Sequence, residues 1–158
     1  MLPALLLFVP VALYALIHLV WALVLAIGYN RPRLDYSRRL SILVAARNEE
    51  ANILDCLISL ENLKYPSHLL DIHIGDDGST DATGRIIQDF IQGKPHFHYH
   101  RIVTTLPGIH GKQNVLAQLA HHAQGELLLI TDADVTHPRH WAALLAGGFR
   151  SPRVGIVT

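Results

Sequence analysis

Two carboxylates one residue apart, Asp132 and Asp134, follow the apolar run at residues 127–131. Held that close at the end of a buried strand, they repel each other unless positive charge lies beside them. A hard divalent cation with oxygen ligands meets that need, and magnesium or manganese brings phosphate oxygens with it. The same tripeptide also fits a plain structural role, in which Asp132 ends the strand and Asp134 caps the next helix. A second acidic group, Asp76-Asp77-Gly78-Ser79-Thr80-Asp81, follows the run at 70–75. Gly78 permits a tight turn, while Ser79 or Thr80 suits a helix N-cap and Asp81 its first turn. Those needs leave two further acids at the strand end, placed to accept hydrogen bonds from a base or a ribose. Gly111-Lys112-Gln113-Asn114 opens a third segment. Glycine then lysine at a helix start points to phosphate contact through backbone amides and an ammonium group. A P-loop would need glycine at 106 and serine or threonine at 113; Leu106 and Gln113 exclude it.

The elements that must position these groups are legible as short apolar runs between helical patterns. Residues 40–46, 70–75, 97–103 and 127–131 read as strands, and 154–157 as the start of a fifth. Residues 50–60, 81–91, 112–123 and 138–145 carry helical spacing. Alternation of this kind predicts an α/β fold with a mainly parallel sheet covered by helices on both faces. Ligands of such sheets collect at the carboxyl ends of the strands, so the three polar groups should converge there with Arg47-Asn48-Glu49. His96, His98 and His100 alternate along the third strand and would share one face. Three imidazoles on a face can bind zinc, although a solvated strand rim explains them as well. His121 and His122 read as surface residues. The single cysteine, Cys56, reads as a small core hydrophobe and leaves no intramolecular disulfide.

The 158 residues carry 13 basic and 13 acidic side chains, and a net charge of zero gives no reason to expect a nucleic-acid partner. Every charged side chain lies at or after Arg31. Residues 2–28 are apolar apart from Pro3, Pro10 and His18. As one helix they would span about 40 Å, against a hydrocarbon core of about 30 Å. A secretory signal would start with a basic region and end in a small-residue cleavage site. This segment starts Met-Leu-Pro and is followed by Arg31, Arg33, Arg38 and Arg39. The arginines predict a cytoplasmic flank. The expected organisation is a transmembrane anchor at 1–29, a basic linker at 30–39 and a nucleotide-sugar-binding part at 40–158. The expected location is the cell membrane, single-pass and in contact with the lipid bilayer, with the larger part cytoplasmic.

Ser41-Ile-Leu-Val-Ala-Ala-Arg-Asn-Glu-Glu50, Ile74-Gly-Asp-Asp-Gly-Ser-Thr-Asp81, Gly111-Lys-Gln-Asn114 and Thr131-Asp-Ala-Asp134 stand in one order over residues 40–140. Together they resemble the N-terminal half of a membrane-associated family-2 glycosyltransferase with the GT-A fold. The resemblance implies transfer of a sugar from a nucleotide-diphospho-sugar, a UDP-sugar being the leading candidate, to an unnamed acceptor. It implies dependence on Mn2+ or Mg2+ and inversion at the anomeric centre. Ala45, Arg47 and Glu49 would lie along the nucleotide, Asp77 would bind the base, and Lys112 would lie near the nucleotide-sugar. Asp132 would lie by the ribose or metal, and Asp134 would be the principal metal ligand. The family's catalytic base comes later in the chain, and no acid follows Asp134 before Thr158. The expectation is therefore a truncated chain that holds the donor site and is inactive alone. Two other readings compete. A nucleotidyltransferase would carry a glycine-rich basic loop after its first strand, and Ala46-Arg47-Asn48-Glu49-Glu50 has no glycine. A catalytically inactive, membrane-tethered binding module or remnant is the alternative that stays open.

Overall fold

The computed structural model describes residues 2–28 and 33–158, with side chains at 9–25 and from 33 onward. The chain divides into two units, Met1–Pro32 and Arg33–Thr158. The first consists of α1, Leu2–Gly28, an uninterrupted helix of 27 residues that passes through Pro10. It carries no charged side chain, and its apolar groups, Val9, Leu13, Trp21 and Leu25 among them, are exposed. His18 Nδ1 donates to the Tyr14 carbonyl one turn back, at 2.9 Å. Among the described residues no helix is long and apolar enough to cross a membrane.

In the second unit four strands run parallel in the order β3-β2-β1-β4, formed by β1 (Leu40–Ala46), β2 (Leu70–Asp76), β3 (Phe97–Arg101) and β4 (Leu127–Asp132). Central β1 is buried along nearly its whole length, which is why it reads as a continuous apolar run rather than an alternating one. On one face Leu40, Ile42 and Val44 join a core with Ile53, Leu57 and Leu60 of α2 (Ile53–Glu61). Ile87 of α3 (Thr83–Phe90) and Ala142, Ala143 and Ala146 of α5 (Trp141–Gly148) complete it. On the other face Leu43 packs with Val115 and Leu119 of α4 (Gly111–Ala120). α4 lies close: a Cβ on Gly75 of β2 would come within 2.4 Å of Val115. Leu128 and Ile130 on edge strand β4 remain exposed on that side.

The expected mainly parallel sheet with helices on both faces is thus present, with several differences in its elements. The expected strand at 154–157 is absent: this segment pairs with no neighbour, and Val154 instead turns back to bond the Ser151 carbonyl. α3 starts at Thr83, not at 81, and neither Ser79 nor Thr80 caps it. The Ser79 hydroxyl and the Thr80 amide and hydroxyl are committed to Asn48 in the β1–α2 turn, and the Ser79 amide to Asp76. The expected linker is packed from residue 33 on. The Asp35 amide donates to the Ala143 carbonyl, the Tyr65 hydroxyl to the Arg38 carbonyl, and the Arg39 guanidinium to Gln124.

Gly125, just ahead of β4, sits against β1 so tightly that a Cβ would meet the Ser41 backbone nitrogen at 2.3 Å. Backbone cannot yield as a flexible side chain does. Gly125→Ala is expected to cost about 1–3 kcal/mol through overpacking, read from the midpoint of urea unfolding at unchanged slope.

Candidate functional site

Parallel strands leave their carboxyl ends on one edge of the sheet, and that edge holds a cleft of about 410 Å³. Its walls come from the end of β1 (Ala45, Ala46, Arg47, Glu49), the turn after β2 (Asp77), the start of α4 (Gly111, Lys112, Val115) and the end of β4 (Asp132, Ala133, Asp134). All seven residues singled out in the sequence, Ala45, Arg47, Glu49, Asp77, Lys112, Asp132 and Asp134, line this one cleft. Gly111, which the sequence pairs with Lys112, and the small or apolar Ala46, Val115 and Ala133 complete it.

Two turns are locked together beside the cleft. Asn48 adopts a φ of 53°, the left-handed region that asparagine tolerates better than most residues. Its amide donates to Ser79 Oγ at 3.0 Å, and its Oδ1 accepts from the Thr80 amide at 2.9 Å. The Glu49 amide donates to Thr83 Oγ1 at 2.8 Å, and Glu50 accepts from the Ala82 amide at 2.9 Å. The adjacent acids then divide by strand period. Asp76 points inward, fully buried, and accepts from the Ser79 amide and the Tyr99 hydroxyl, each at 2.8 Å. Asp77 points to the cleft and pairs with Arg47 at 3.2 Å. The Asp77 amide is held by the Ala46 carbonyl.

Across the cleft Lys112 forms an ion pair with Asp132. Gly111, at a φ of 55°, lets the chain turn directly into α4. Asn114, buried one turn into the helix, accepts from the Leu106 amide and donates to the Thr104 carbonyl, fixing the loop before α4. Cys56 lies beneath β4, its thiol 3.6 Å from the Asp132 carbonyl. Burial pushes that thiol up to about 12, with Asp134 and Asp132 adding to the effect. It is a core group and no nucleophile at neutral pH.

The glycosyl transferase family 2 model matches residues 41–158, which include every wall of the cleft. The chain belongs to glycosyl transferase family 2. A β-monoglucosyldiacylglycerol synthase from Nostoc sp. is 32% identical over 140 residues, covering 84% of this chain and 29% of its own length. The chain therefore spans less than a third of that relative. Among solved structures, a mannosyltransferase from Pyrobaculum calidifontis in complex with GDP-Man and Mn2+ superposes with a TM-score of 0.68. It is 27% identical and covers 80% of this chain and 36% of its own. TarS 1–349 from S. aureus in complex with UDP-GlcNAc superposes with a TM-score of 0.51 at 28% identity, covering 61% of this chain and 26% of its own. The family and its GT-A-like sheet agree with the resemblance read from the four motifs.

The expected histidine row is altered. β3 begins at Phe97, so His96 precedes the strand and lies against the Phe97 ring. His98 and His100 do share a face, but a buried His73 on β2 stands beside them. The row is part of a packed cluster in which His73 is buried and His98 stays partly exposed. Asp71 and His73 were invisible as partners because only the register of β2 with β3 brings them to His98.

Proposed function

We propose that the cleft binds a nucleotide-diphospho-sugar together with a divalent cation, and that this chain supplies the donor side of glycosyl transfer. The observation that carries the proposal is the convergence of four carboxylates and only two cations, Arg47 and Lys112, on one cleft at the strand ends. Arg47 is engaged with Asp77, and Lys112 with Asp132. Asp134, exposed and one residue beyond Ala133, adds a negative charge. A hard oxygen donor set with excess negative charge fits Mg2+ or Mn2+. Asp134 and Asp132 would hold the ion, whose chemistry is to neutralise charge on a departing diphosphate. A solved neighbour carrying GDP-Man and Mn2+ supports the same reading.

The remaining work falls to the chain's own groups. Asp77 offers carboxylate oxygens to donor groups on the base, and Arg47 fixes its orientation. Ala45 and Ala46, small residues at the end of β1, leave room for a nucleotide, with Glu49 beside it. Lys112 presents its ammonium to phosphate oxygens from the start of α4, where unsatisfied amides favour anions. None of the cleft's carboxylates is assigned the acceptor's proton.

The same proposal takes the charge-free run at 2–28 as a membrane anchor on its sequence, the side chains described at 9–25 being too short a stretch to span by themselves. A charge-free helix of 27 residues with exposed apolar groups supports it, and Arg31, Arg33, Arg38 and Arg39 put its C-terminal flank in the cytoplasm. The name of the Nostoc relative, a synthase of a glucosylated diacylglycerol, makes a lipid the first acceptor to test.

Thermal unfolding of the chain in detergent, with UDP, GDP or CDP and with or without Mn2+, tests the donor site. A nucleotide at about a hundredfold its Kd stabilises by about 2.7 kcal/mol, a rise in Tm of roughly 5–15 °C for a body of this size. The expected result is a shift with one base that requires Mn2+. A folded chain that shifts with none of the three would overturn the assignment.

A further inference from the structure

On the sheet face beneath α4, towards the strand starts, β2 and β3 build a second polar cluster. Asp71 and His73 alternate on β2, and the register sets His73 opposite His98 and Gly75 opposite His100. The His100 ring lies beside that of His73, with centroids 5.2 Å apart. Both Asp71 and His73 are buried, at 7% and 4% exposure. Asp71 Oδ2 lies 2.9 Å from His73 Nε2, and Asp71 Oδ1 lies 3.1 Å from His98 Nε2. One ligand atom from each of the three residues falls within 4.8 Å of the others.

His73 decides what the cluster is for. Its Nδ1 is 2.9 Å from His100 Nε2, so one of these nitrogens donates to the other. Its Nε2 is buried, and its one polar neighbour is the Asp71 carboxylate at 2.9 Å, off ideal hydrogen-bond alignment. A buried nitrogen beside a carboxylate, with its other nitrogen oriented by a neighbour, is the arrangement of a metal-ligating imidazole. Burial lowers His73 below the usual imidazole range, and burial with the neighbouring imidazoles pushes His100 down to about 4.

We propose that Asp71, His73 and His98 bind a divalent transition-metal ion of the zinc type, separate from the cation of the strand-end cleft. His100 is a positioning residue that fixes the His73 ring through Nδ1. Bonds of 2.0–2.1 Å in a tetrahedron set ligand atoms roughly 3.3 Å apart; each Asp71 oxygen stands 2.9 or 3.1 Å from a different imidazole nitrogen, and closing on one ion draws together atoms that now lie within 4.8 Å of one another. Imidazole with carboxylate selects zinc, copper or nickel, whereas the oxygen-only cleft selects magnesium or manganese. The partly exposed side chain of His98 leaves a side open for a fourth ligand from solvent. Asp71 also accepts from Ser41 Oγ and the Gln124 amide. The ion would therefore tie edge strand β3 to β1 and to the turn between α4 and β4.

The test uses the full chain in detergent, stripped with a chelator, with Co2+ as the visible probe and Zn2+ as competitor. About one equivalent of Co2+ should bind with the strong visible bands of a tetrahedral site and be displaced by Zn2+. His98→Ala and Asp71→Asn should each weaken binding at least about tenfold, and Asp134→Ala should leave it unchanged. His98 is half-exposed, and asparagine at 71 keeps an acceptor for Ser41 and Gln124, so circular dichroism should show both variants folded. Failure of the folded chain to bind Co2+ overturns the proposal. So does binding that survives both cluster variants or is lost in Asp134→Ala, since the ion would then sit elsewhere.

Discussion

Asp134→Ala is expected to weaken manganese-dependent nucleotide binding by about a hundredfold or more, some 2.7 kcal/mol, while leaving the fold untouched. Asp134 is exposed at the end of β4, outside both core clusters. An exposed substitution of this kind changes stability by no more than about 0.5 kcal/mol. Its carboxylate does its work only with a cation beside it. Nucleotide affinity measured by calorimetry without Mn2+ should therefore be nearly equal in the two proteins, and only the increment from Mn2+ should vanish. Asp134→Asn keeps the oxygen and loses the charge, so it should fall between. An intact Mn2+ increment in the alanine variant would mean that the ion is held by other groups.

Asp76→Ala is the substitution expected to harm the fold most among the acids of the motifs. The carboxylate is fully buried and satisfies the Ser79 amide and the Tyr99 hydroxyl. It is packed so closely that a Cβ on Gly84 would meet its Oδ2 at 2.8 Å. Truncation strands two donors, each costing about 1–3 kcal/mol, against a total stability of roughly 5–15 kcal/mol for a domain. The turn that presents Asp77 loses its anchor at the same time, so nucleotide binding should weaken as well. Asp76→Asn retains an acceptor for the Ser79 amide and should recover most of the stability. Asp77→Ala removes only an exposed pair with Arg47, worth about 0–1 kcal/mol, and should act on binding alone. Urea unfolding of the three variants separates these cases. A loss below about 1 kcal/mol in Asp76→Ala would show that the two donors find other partners.

The contrast between Asp76 and Asp77 shows what the sequence could and could not say. That an acidic pair follows a strand is visible in the run at 70–75. Which acid turns inward follows from the period of two only once the strand is known to continue through Asp76. Three of the four strands were legible as largely apolar runs bounded by polar turn residues, and β3 by its alternation. The cleft followed from them, since parallel strands must deliver their C-terminal turns to one edge. Helix starts were less legible. Ser79, Thr80 and Asp81 have the chemistry of caps, but they bond the turn around Asn48 or the residue two ahead, and α3 waits for Thr83. The run at 154–157 has the composition of a strand, yet composition does not supply a neighbour to pair with. The histidine cluster was only half visible, because alternation gave His98 and His100 a common face while His73 and Asp71 arrive by strand pairing.

The location of the cation and nucleotide is the central claim, and paramagnetic broadening tests it directly. With backbone amides assigned in the detergent-solubilised chain, substoichiometric Mn2+ is added together with the nucleotide that raises Tm. The account predicts that signals of 132–134, Lys112 and Asp77 broaden first and most strongly, before those of Asp71 and His98. Broadening that begins at Asp71 and His98, or that is indifferent to the nucleotide, would contradict it.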